Sequence, residues 1–522
     1  MTDYCIGIDL GTTYSCLSYI DEDGDPVVEK NFEQEDTTPS VILFNDNGEI
    51  IVGSPAKEMA SMYGPDRVVS AIKRHMGTDY EVEIDGEKYN PVMLSAVILR
   101  KMINDFNDNH GTDIKKAVIT CPAYFGQNER EATKTAGNIA GLDDVTVINE
   151  PTAAAISFGF GNSEGKKRVL VYDLGGGTFD VTVLEIDGKN FTAVATDGER
   201  LLGGKDWDAV ISKIIKDKVA EEIGVDPSSL DDDEEVMQNL AINSETFKKR
   251  LSVAENIKGT LTVNGQKVVF TITRDEFEAA SAGLIQTTVE IMERVLATGN
   301  FEMKDIDEVL LVGGSSRMPQ VKAAIAARFP DANIKVFDPD QSVAKGAAIF
   351  CASNANTVSA VDPSTGEEVV QPAEGAISVH NVLSKTFGIK AYYDDGSEAI
   401  SNIIFRNEVL PIENIKTYYP AEDGQMEIKV EIYEDSACNN EEGRRTETIE
   451  AVPIGEFMMT LPDGVTKNTP ITVRFTATDE GILFASVDCL GEHTDYQIEN
   501  DLKMSEEDIK KSQSLVEKVT NA

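Results

Sequence analysis

The stretch at residues 171–188, VYDLGGGTFDVTVLEIDG, decides the fold. An apolar strand runs into three glycines and a threonine and leaves on alternating apolar residues, Val181, Val183 and Ile186. Read locally, residues 175–177 are the turn of a half-buried hairpin, where glycine supplies the positive φ of a tight turn. The same residues also suit a phosphate cradle, because backbone N–H groups with no Cβ in the way can converge on phosphate oxygens. Only what accompanies the turn separates the two readings.

The first companion is an internal repeat. IGIDLGTTYSCLSYI (6–20) follows the same plan of apolar strand, Asp-Leu-Gly, small turn and second strand, so Asp9 and Asp173 end matching strands. Such a duplication predicts two related lobes facing each other across a cleft, each offering a hairpin tip. A third glycine turn lies in DEVLLVGGSSRMPQVKAAIAARF (307–329), a buried strand followed by Gly-Gly-Ser and a helix opened by Pro319. Amphipathic helices such as NPVMLSAVILRKMINDF and GQNEREATKTAGNIAG lie between the tips, the second stopped by Gly141. Strands alternating with helices predict an α/β domain.

Composition shifts after about residue 351. The stretch from there to about residue 385 is rich in small and polar residues with prolines, and part of it reads as a surface loop or linker. Beyond it QMEIKVEIYE, TPITVRFTATDEGILFASVDCL and TDYQIEN alternate at period two around Gly, Pro, Asn and Asp turns, predicting a β-sandwich. SEEDIKKSQSLVEKVTNA reads as one short helix with Ser505 as its cap and Asp508 in its first turn.

The chain of 522 residues carries a net charge of −44, which excludes a nonspecific grip on nucleic acid or on an anionic membrane surface. Its lysines and arginines are interspersed with the acids, and DDDEE (231–235) is the one real acidic run. The six cysteines are far apart in sequence and show no metal-ligand spacing, so neither a disulfide framework nor a zinc site is indicated. With no leader pattern and no apolar run of membrane length, a cytoplasmic location is expected.

The chemistry of the tips follows. Thr12, Thr13 and Thr178 add hydroxyl donors to the glycine turns. Carboxylates beside a phosphate repel it unless a cation intervenes, so Asp9 and Asp173 point to Mg²⁺ held largely through water. There is no G-x-x-x-x-G-K-[ST], and the hairpin returns as a strand, which separates this plan from a Walker loop.

IGIDLGTTYS, INEPTAAAISFG, VYDLGGGTFDV, LLGGKDWD, LLVGGSSRMP and VAKGAA match, in order and approximate spacing, the ATPase domain of the 70-kilodalton heat-shock chaperone family. The resemblance continues through TYYPAEDGQMEIKVEIYE, IGEFMMTLP and DEGILFASVDC, which look like the family's peptide-binding sandwich, and covers about residues 4 to 518. It implies an actin-like two-lobed ATPase domain over residues 1–375, an interdomain linker at 376–386, an all-β peptide-binding sandwich at 387–502 and a short helix at 503–522, a remnant or start of a lid. It implies an ATP-dependent chaperone that binds extended apolar segments of unfolded proteins and hydrolyses ATP slowly to switch affinity. The implied cofactors are ATP and Mg²⁺, with K⁺ admitted; the implied partners are unfolded polypeptides, a J-domain co-chaperone and a nucleotide exchange factor.

Carried over by position, the resemblance makes Asp9, Asp173 and Asp180 the acidic groups around Mg²⁺ and the attacking water, with Glu150 helping to order that water. Lys73 is implied beside the γ-phosphate, although its sequence context alone reads as an exposed helix lysine. Gly11, Thr12, Thr13, Tyr14, Gly175, Gly176, Gly177 and Thr178 are implied to hold the phosphates, with Gly203 and Gly204 nearby. Glu245, Lys248, Lys249 and Ser252 match the helix that clasps adenosine, and Gly313, Gly314, Ser315, Arg317 and Asp340 its other side. Pro122 and Arg130 stand where the family has a proline switch and its arginine contact. Ile389, Tyr392, Tyr418, Ile428, Val430 and Ile482 match the peptide groove, with plain core packing as the alternative, nearly as strong for Val430 and Ile482.

Two departures stand out. The segment in linker position, AISVHNVLSKTFG, has only Ile377 and Val379 apolar before Asn381, which predicts less apolar burial on docking and puts the coupling of hydrolysis to peptide grip in question. One amphipathic helix stands where a long helical lid is expected, which predicts faster binding and briefer hold. Two rivals remain. An actin-like metabolite kinase would need no β-sandwich. A noncatalytic ATP-binding relative, serving as exchange factor, anchor or holdase, would bind nucleotide without turnover; Lys73, Glu150, Asp173 and Thr178 argue against it.

Overall fold

The computed structural model describes residues 4–160, 165–355, 357–361, 368–372, 376–393, 396–435, 445–448, 451–479, 481–497 and 504–520, and the account below concerns these. The first half of the repeat is a mixed sheet. β1 (Ile6–Asp9) and β2 (Tyr14–Ile20) form the antiparallel hairpin, β3 (Pro26–Val28) extends it, and β4 (Lys116–Cys121) and β5 (Asp144–Asn149) add in parallel, in the spatial order β5-β4-β1-β2-β3. The helices that connect and cover these strands include α1 (Pro91–His110), α2 (Gln127–Ile139) and α3 (Glu150–Gly159).

The second half repeats the plan. β6 (Lys166–Leu174) and β7 (Phe179–Asp187) form the hairpin and β8 (Asn190–Glu199) extends it. β9 (Glu308–Val312) and β10 (Ile334–Val336) add in parallel, giving β10-β9-β6-β7-β8. Each hairpin thus occupies the same place in an equivalent sheet. Helices α4 (Gly204–Ile223), α5 (Glu234–Leu251), α6 (Pro319–Arg328) and α7 (Ser342–Ser353) belong to this half in sequence.

The halves join through one apolar layer. Ala153, Ala154 and Ala155 of α3 and Val343 and Ala347 of α7 are buried together with Val118 and Ile148 of one sheet and Val171, Leu310 and Val312 of the other. Small residues let the two helices approach closely. A Cβ on Gly346 would lie 1.7 Å from the carbonyl oxygen of Ala153, so only glycine fits this crossing. That contact explains the glycine of VAKGAA by packing.

DDDEE is the start of a helix. Asp233 caps α5 by accepting from the Val236 N–H, while Lys248, Lys249 and Arg250 occupy its last turn. Acids at the positive end and bases at the negative end both favour the helix dipole.

The stretch read as loop or linker holds more order than its composition suggests. Thr357–Val361 pairs antiparallel with Glu368–Pro372, and β11 (Ser378–His380) joins the second sheet in parallel beside β8. Beyond it two antiparallel sheets enclose one core, as the period-two alternation predicts. One runs in the order Arg445–Thr446, Glu398–Ile404, Thr386–Tyr392, Glu427–Asp435, Val452–Thr460; the other in the order Ile412–Tyr418, Ile471–Ala477, Leu483–Cys489, Glu492–Gln497.

The chain then returns to its beginning. α8 (Glu506–Val516), capped by Ser505 as its sequence predicts, packs on α1 and α2. Leu515 and Val516 are 4% and 5% exposed and belong to the core of the first half. Val519–Thr520 pairs with the strand Ile50–Val52 of that half. No helix among the described residues is long and apolar enough to cross a membrane.

Candidate functional site

A cavity of about 660 Å³ opens between the halves where the two hairpin tips meet. The tips touch: a Cβ on Gly176 would lie 2.0 Å from Thr13 Oγ1, and one on Gly177 would lie 2.3 Å from Thr12 Cγ2. The third glycine turn closes on the second tip. Ser315 Oγ donates to the Gly175 carbonyl (2.9 Å), and Gly313 takes a φ of 74° where a Cβ would meet Asp173 Oδ1 at 2.4 Å. The start of α4 packs there as well, with the Gly204 N–H donating to the Gly175 carbonyl at 3.0 Å and the Lys205 N–H to that of Gly176 at 2.9 Å.

At the floor, Asp9 ends β1 and Asp173 faces Asp180 across the β6–β7 pair. Lys73 forms an ion pair with Glu150, at the first turn of α3, and both side chains are under 10% exposed. Burial works against the Lys73 charge, but Glu150 and Asp9 outweigh it and raise its pKa. The carboxylates are pushed the other way. Burial, then Glu150, raises Asp9 to about 7 and holds Asp173 and Asp180 well above the usual carboxylate range. More negative groups converge here than one ammonium can balance, which is the electrostatics of a cation site. Thr13 Oγ1 and Asp180 Oδ1 are buried without a hydrogen-bond partner among the described residues. No group of three His, Cys, Asp or Glu side chains among the described residues closes to metal-holding geometry.

The rim is a clasp between the halves. Glu245 on α5 receives Lys57 Nζ at 2.6 Å and Lys249 Nζ at 2.7 Å, and both ammonium groups reach Tyr14 Oη, at 2.8 and 3.1 Å. Burial pushes the Glu245 carboxyl up, but Lys57 and Lys249 outweigh it and hold it at about 2. Lys248 Nζ reaches the Gly204 carbonyl (2.8 Å) and Asp208 (2.9 Å), and Arg317 pairs with Asp340 at 2.5 Å.

Asp9, Gly11, Thr12, Thr13, Tyr14, Lys73, Glu150, Asp173, Gly175, Gly176, Thr178, Glu245, Lys248, Lys249, Ser252, Gly313, Gly314, Ser315, Arg317 and Asp340 all line the cavity. Gly177, Gly203 and Gly204 form the backbone packing behind it, and Asp180 lies beside Asp173. Sequence reasoning missed Lys57, Asp208 and Arg74, whose Nε donates to the Gly177 carbonyl at 2.8 Å. Asp208 closes the motif LLGGKDWD, which could have pointed to it, whereas Lys57 and Arg74 are brought to the cleft by folding alone.

Arg130 ties the cleft to Asn381, in the segment that the resemblance sets in linker position. It donates to the Phe125 carbonyl (3.1 Å) and bonds the side chain of Asn149, which donates to Asn381 Oδ1 at 3.0 Å. Pro122 meets Arg130 through Phe125, whose N–H donates to the Pro122 carbonyl at 3.2 Å. Glu150 follows Asn149 directly, so the carboxylate cluster and the linker lie one residue apart along this path. The sandwich is fixed nearby by Arg406 on Asp197 (2.7 Å) and by the Thr196 N–H on Asn407 (3.0 Å).

The six candidate groove residues are dispersed. Ile389 and Val430 are buried in the sandwich core, while Tyr418 and Ile428 pack at its edge, Tyr418 donating to Ser401 Oγ at 2.9 Å. Tyr392 is 76% exposed. Ile482 faces α2, lining a space with Gln127, Arg130 and Lys134.

Comparison with known proteins agrees with this architecture. The profile of the family described as Hsp70 protein matches residues 5–85 and 78–522. Chaperone protein DnaK of Thermosipho melanesiensis is 37% identical over 518 residues, covering 98% of this chain and 82% of the relative. Chaperone protein DnaK of Thermotoga neapolitana is 37% identical over 519 residues with the same coverage.

Proposed function

The chain belongs to the Hsp70 family, so it is an ATP-dependent chaperone with ATPase activity, and from that premise we propose how its own residues do the work. ATP lies in the cleft between the halves. Gly11, Thr12, Thr13, Tyr14, Gly175, Gly176, Gly177 and Thr178 hold the phosphates through backbone N–H groups and hydroxyls, backed by Gly203 and Gly204. Glu245, Lys248, Lys249 and Ser252 flank the adenosine on one side, with the aliphatic stems of the lysines against the base, and Gly313, Gly314, Ser315, Arg317 and Asp340 on the other.

Magnesium, when bound, neutralises charge between the carboxylates and the phosphates. Asp9 and Asp173 would hold it, and Asp180 and Glu150 would orient the water that attacks the γ-phosphate. Lys73 keeps its ammonium against the γ-phosphoryl oxygens, where negative charge is borne as the bond breaks. The observation that carries this reading is the contact of the two hairpin tips above a buried Lys73 and four carboxylates.

Residues 1–375 act as the nucleotide-binding unit, 376–386 as the linker, 387–502 as the unit that binds extended apolar segments of unfolded polypeptides, and 503–522 as a short helical return. Pro122 and Arg130 relay the state of the cleft to the linker. Tyr392, Tyr418 and Ile428, at the sandwich surface and edge, are the groove residues best exposed to a peptide, with Ile389, Val430 and Ile482 behind them. A J-domain partner accelerates hydrolysis and an exchange factor opens the cleft; the compartment is the cytoplasm, and K⁺ joins Mg²⁺ at the phosphates.

The test is phosphate release under multiple turnover for the wild type and Lys73→Ala, with nucleotide affinity measured by calorimetry. Retained binding with turnover lowered about 10² to 10³-fold is expected. Equal turnover in the two proteins would remove Lys73 from the mechanism.

A further inference from the structure

Cys5 and Cys351 are far apart in sequence and meet in space, a relation that spacing alone conceals. Gly7 of β1 lies against α7 so closely that a Cβ there would come within 2.2 Å of the Ala348 nitrogen and 2.5 Å of the Ala344 carbonyl. Side chains alternate along an extended chain, which puts Cys5 on the face that Gly7 presents to α7. Helical spacing puts Cys351 on the face of Ala344, Ala347 and Ala348. The two thiols share a hydrogen bond, and Cys5 packs against the apolar layer to which Cys351 belongs. All five described cysteines are reduced thiols.

We propose that Cys5 and Cys351 are a modification site, a thiol pair that hydrogen peroxide converts to a reversible disulfide joining the first strand to the end of α7. The two differ in a way that orders the reaction. Cys351 is 2% exposed, and its hydrogen bond to Cys5, followed by burial, pushes its thiol up and keeps it protonated. Cys5 is partly open to solvent and is therefore the thiol that meets the oxidant. Lys116 follows from the β1–β4 register as the cation beside it.

The Cys5 sulfur attacks the peroxide, the O–O bond breaks, and a sulfenic acid and one water result. The Cys351 sulfur then attacks the sulfenic sulfur, the S–S bond forms and a second water leaves with the Cys351 proton. Two thiols lose two electrons and one peroxide is reduced to two waters. Exchange with a small thiol reverses the bond.

The position gives the bond a consequence. Two residues after Cys351, Ser353 Oγ accepts from the Ile377 N–H at 2.9 Å, the anchor from which the linker starts. A disulfide would pin that helix end to the first half of the ATPase unit.

The full chain treated with peroxide, then digested without reductant, is read by mass spectrometry. A linked pair of peptides carrying Cys5 and Cys351, about 2 Da lighter than their sum and separated by dithiothreitol, is expected. In Cys351→Ala, Cys5 should accumulate as sulfenic acid and take a dimedone label that the wild type does not. Absence of the linked pair in the wild type, or equal dimedone labelling of Cys5 in both proteins, overturns the proposal, and the wild-type digest does not depend on how any variant folds.

Discussion

The linker is the element whose sequence promises least and whose placement says most, and replacing both of its apolar residues tests it. Ile377 and Val379 are half-buried and pack against the layer between the two sheets, while β11 pairs along β8 through Asn190–Ser378, Phe191–Val379 and Thr192–His380. Full burial of an isoleucine or valine side chain is worth about 1.5–3 kcal/mol, so half-burial gives about 1 kcal/mol each and about 2 kcal/mol for the pair. Ile377→Ser with Val379→Ser leaves the backbone ladder in place and removes that amount, which is about 30-fold in the docked-to-undocked ratio. The assay is fluorescence anisotropy of a labelled apolar peptide before and after MgATP. If ATP acts on peptide affinity through this docked segment, as proposed, the ratio of affinities without and with ATP should fall by up to that factor. Prompt ATP-driven release of equal extent in both proteins would refute the claim that these side chains carry coupling. Stable peptide binding that ignores ATP in the wild type would refute coupling through this linker altogether.

Four other outcomes follow from the geometry. Glu245→Gln removes the charge that gathers Lys57 and Lys249 across the cleft mouth, and nucleotide should leave about fivefold faster in stopped flow, the worth of about 1 kcal/mol for a partly exposed network. Because the Glu245 carboxyl is held down at about 2, its stabilisation is present above the ordinary carboxylate pKa and lost only as pH falls through about 2, so the clasp should add no pH dependence to release between pH 5 and 8. Leu515→Ala should destabilise the first half of the ATPase unit by about 2–5 kcal/mol, read as a lower melting temperature with bound nucleotide, because this side chain fills the core there; an unchanged transition would deny α8 that role. Asn149→Ala should weaken ATP-driven peptide release while sparing nucleotide affinity, since it cuts the only side-chain hydrogen bond described between β5 and Asn381; loss of nucleotide binding would instead place Asn149 in the cleft.

Much of the cleft is legible in the chain because its parts are local. A strand, a glycine turn and a returning strand form one contiguous motif, and the motif occurs twice, so the facing lobes and the carboxylates at their strand ends can be read before any contact is known. Lys57, Asp208 and Arg74 were missed. Each is one charged residue whose partner, the Glu245 carboxylate, the Lys248 ammonium or the Gly177 carbonyl, lies 40 or more residues away in sequence. The strand at residues 378–380 escaped the reading for a different reason. Its apolar content is low, but a strand docks by main-chain hydrogen bonds that any side-chain pattern can supply.

The sequence by itself determined the two-lobed α/β plan, the sandwich after it and the pair of glycine-turn tips, because alternation, turn glycines and capping residues act within a few positions of the chain. Tertiary structure alone decided that Gly346 must be glycine, that the last helix belongs to the core of the first half, that Ser378–His380 is a strand of the second sheet and that Cys5 meets Cys351. These are relations between surfaces brought together by burial, and their partners are separated by tens to hundreds of residues, where no local period can carry the signal.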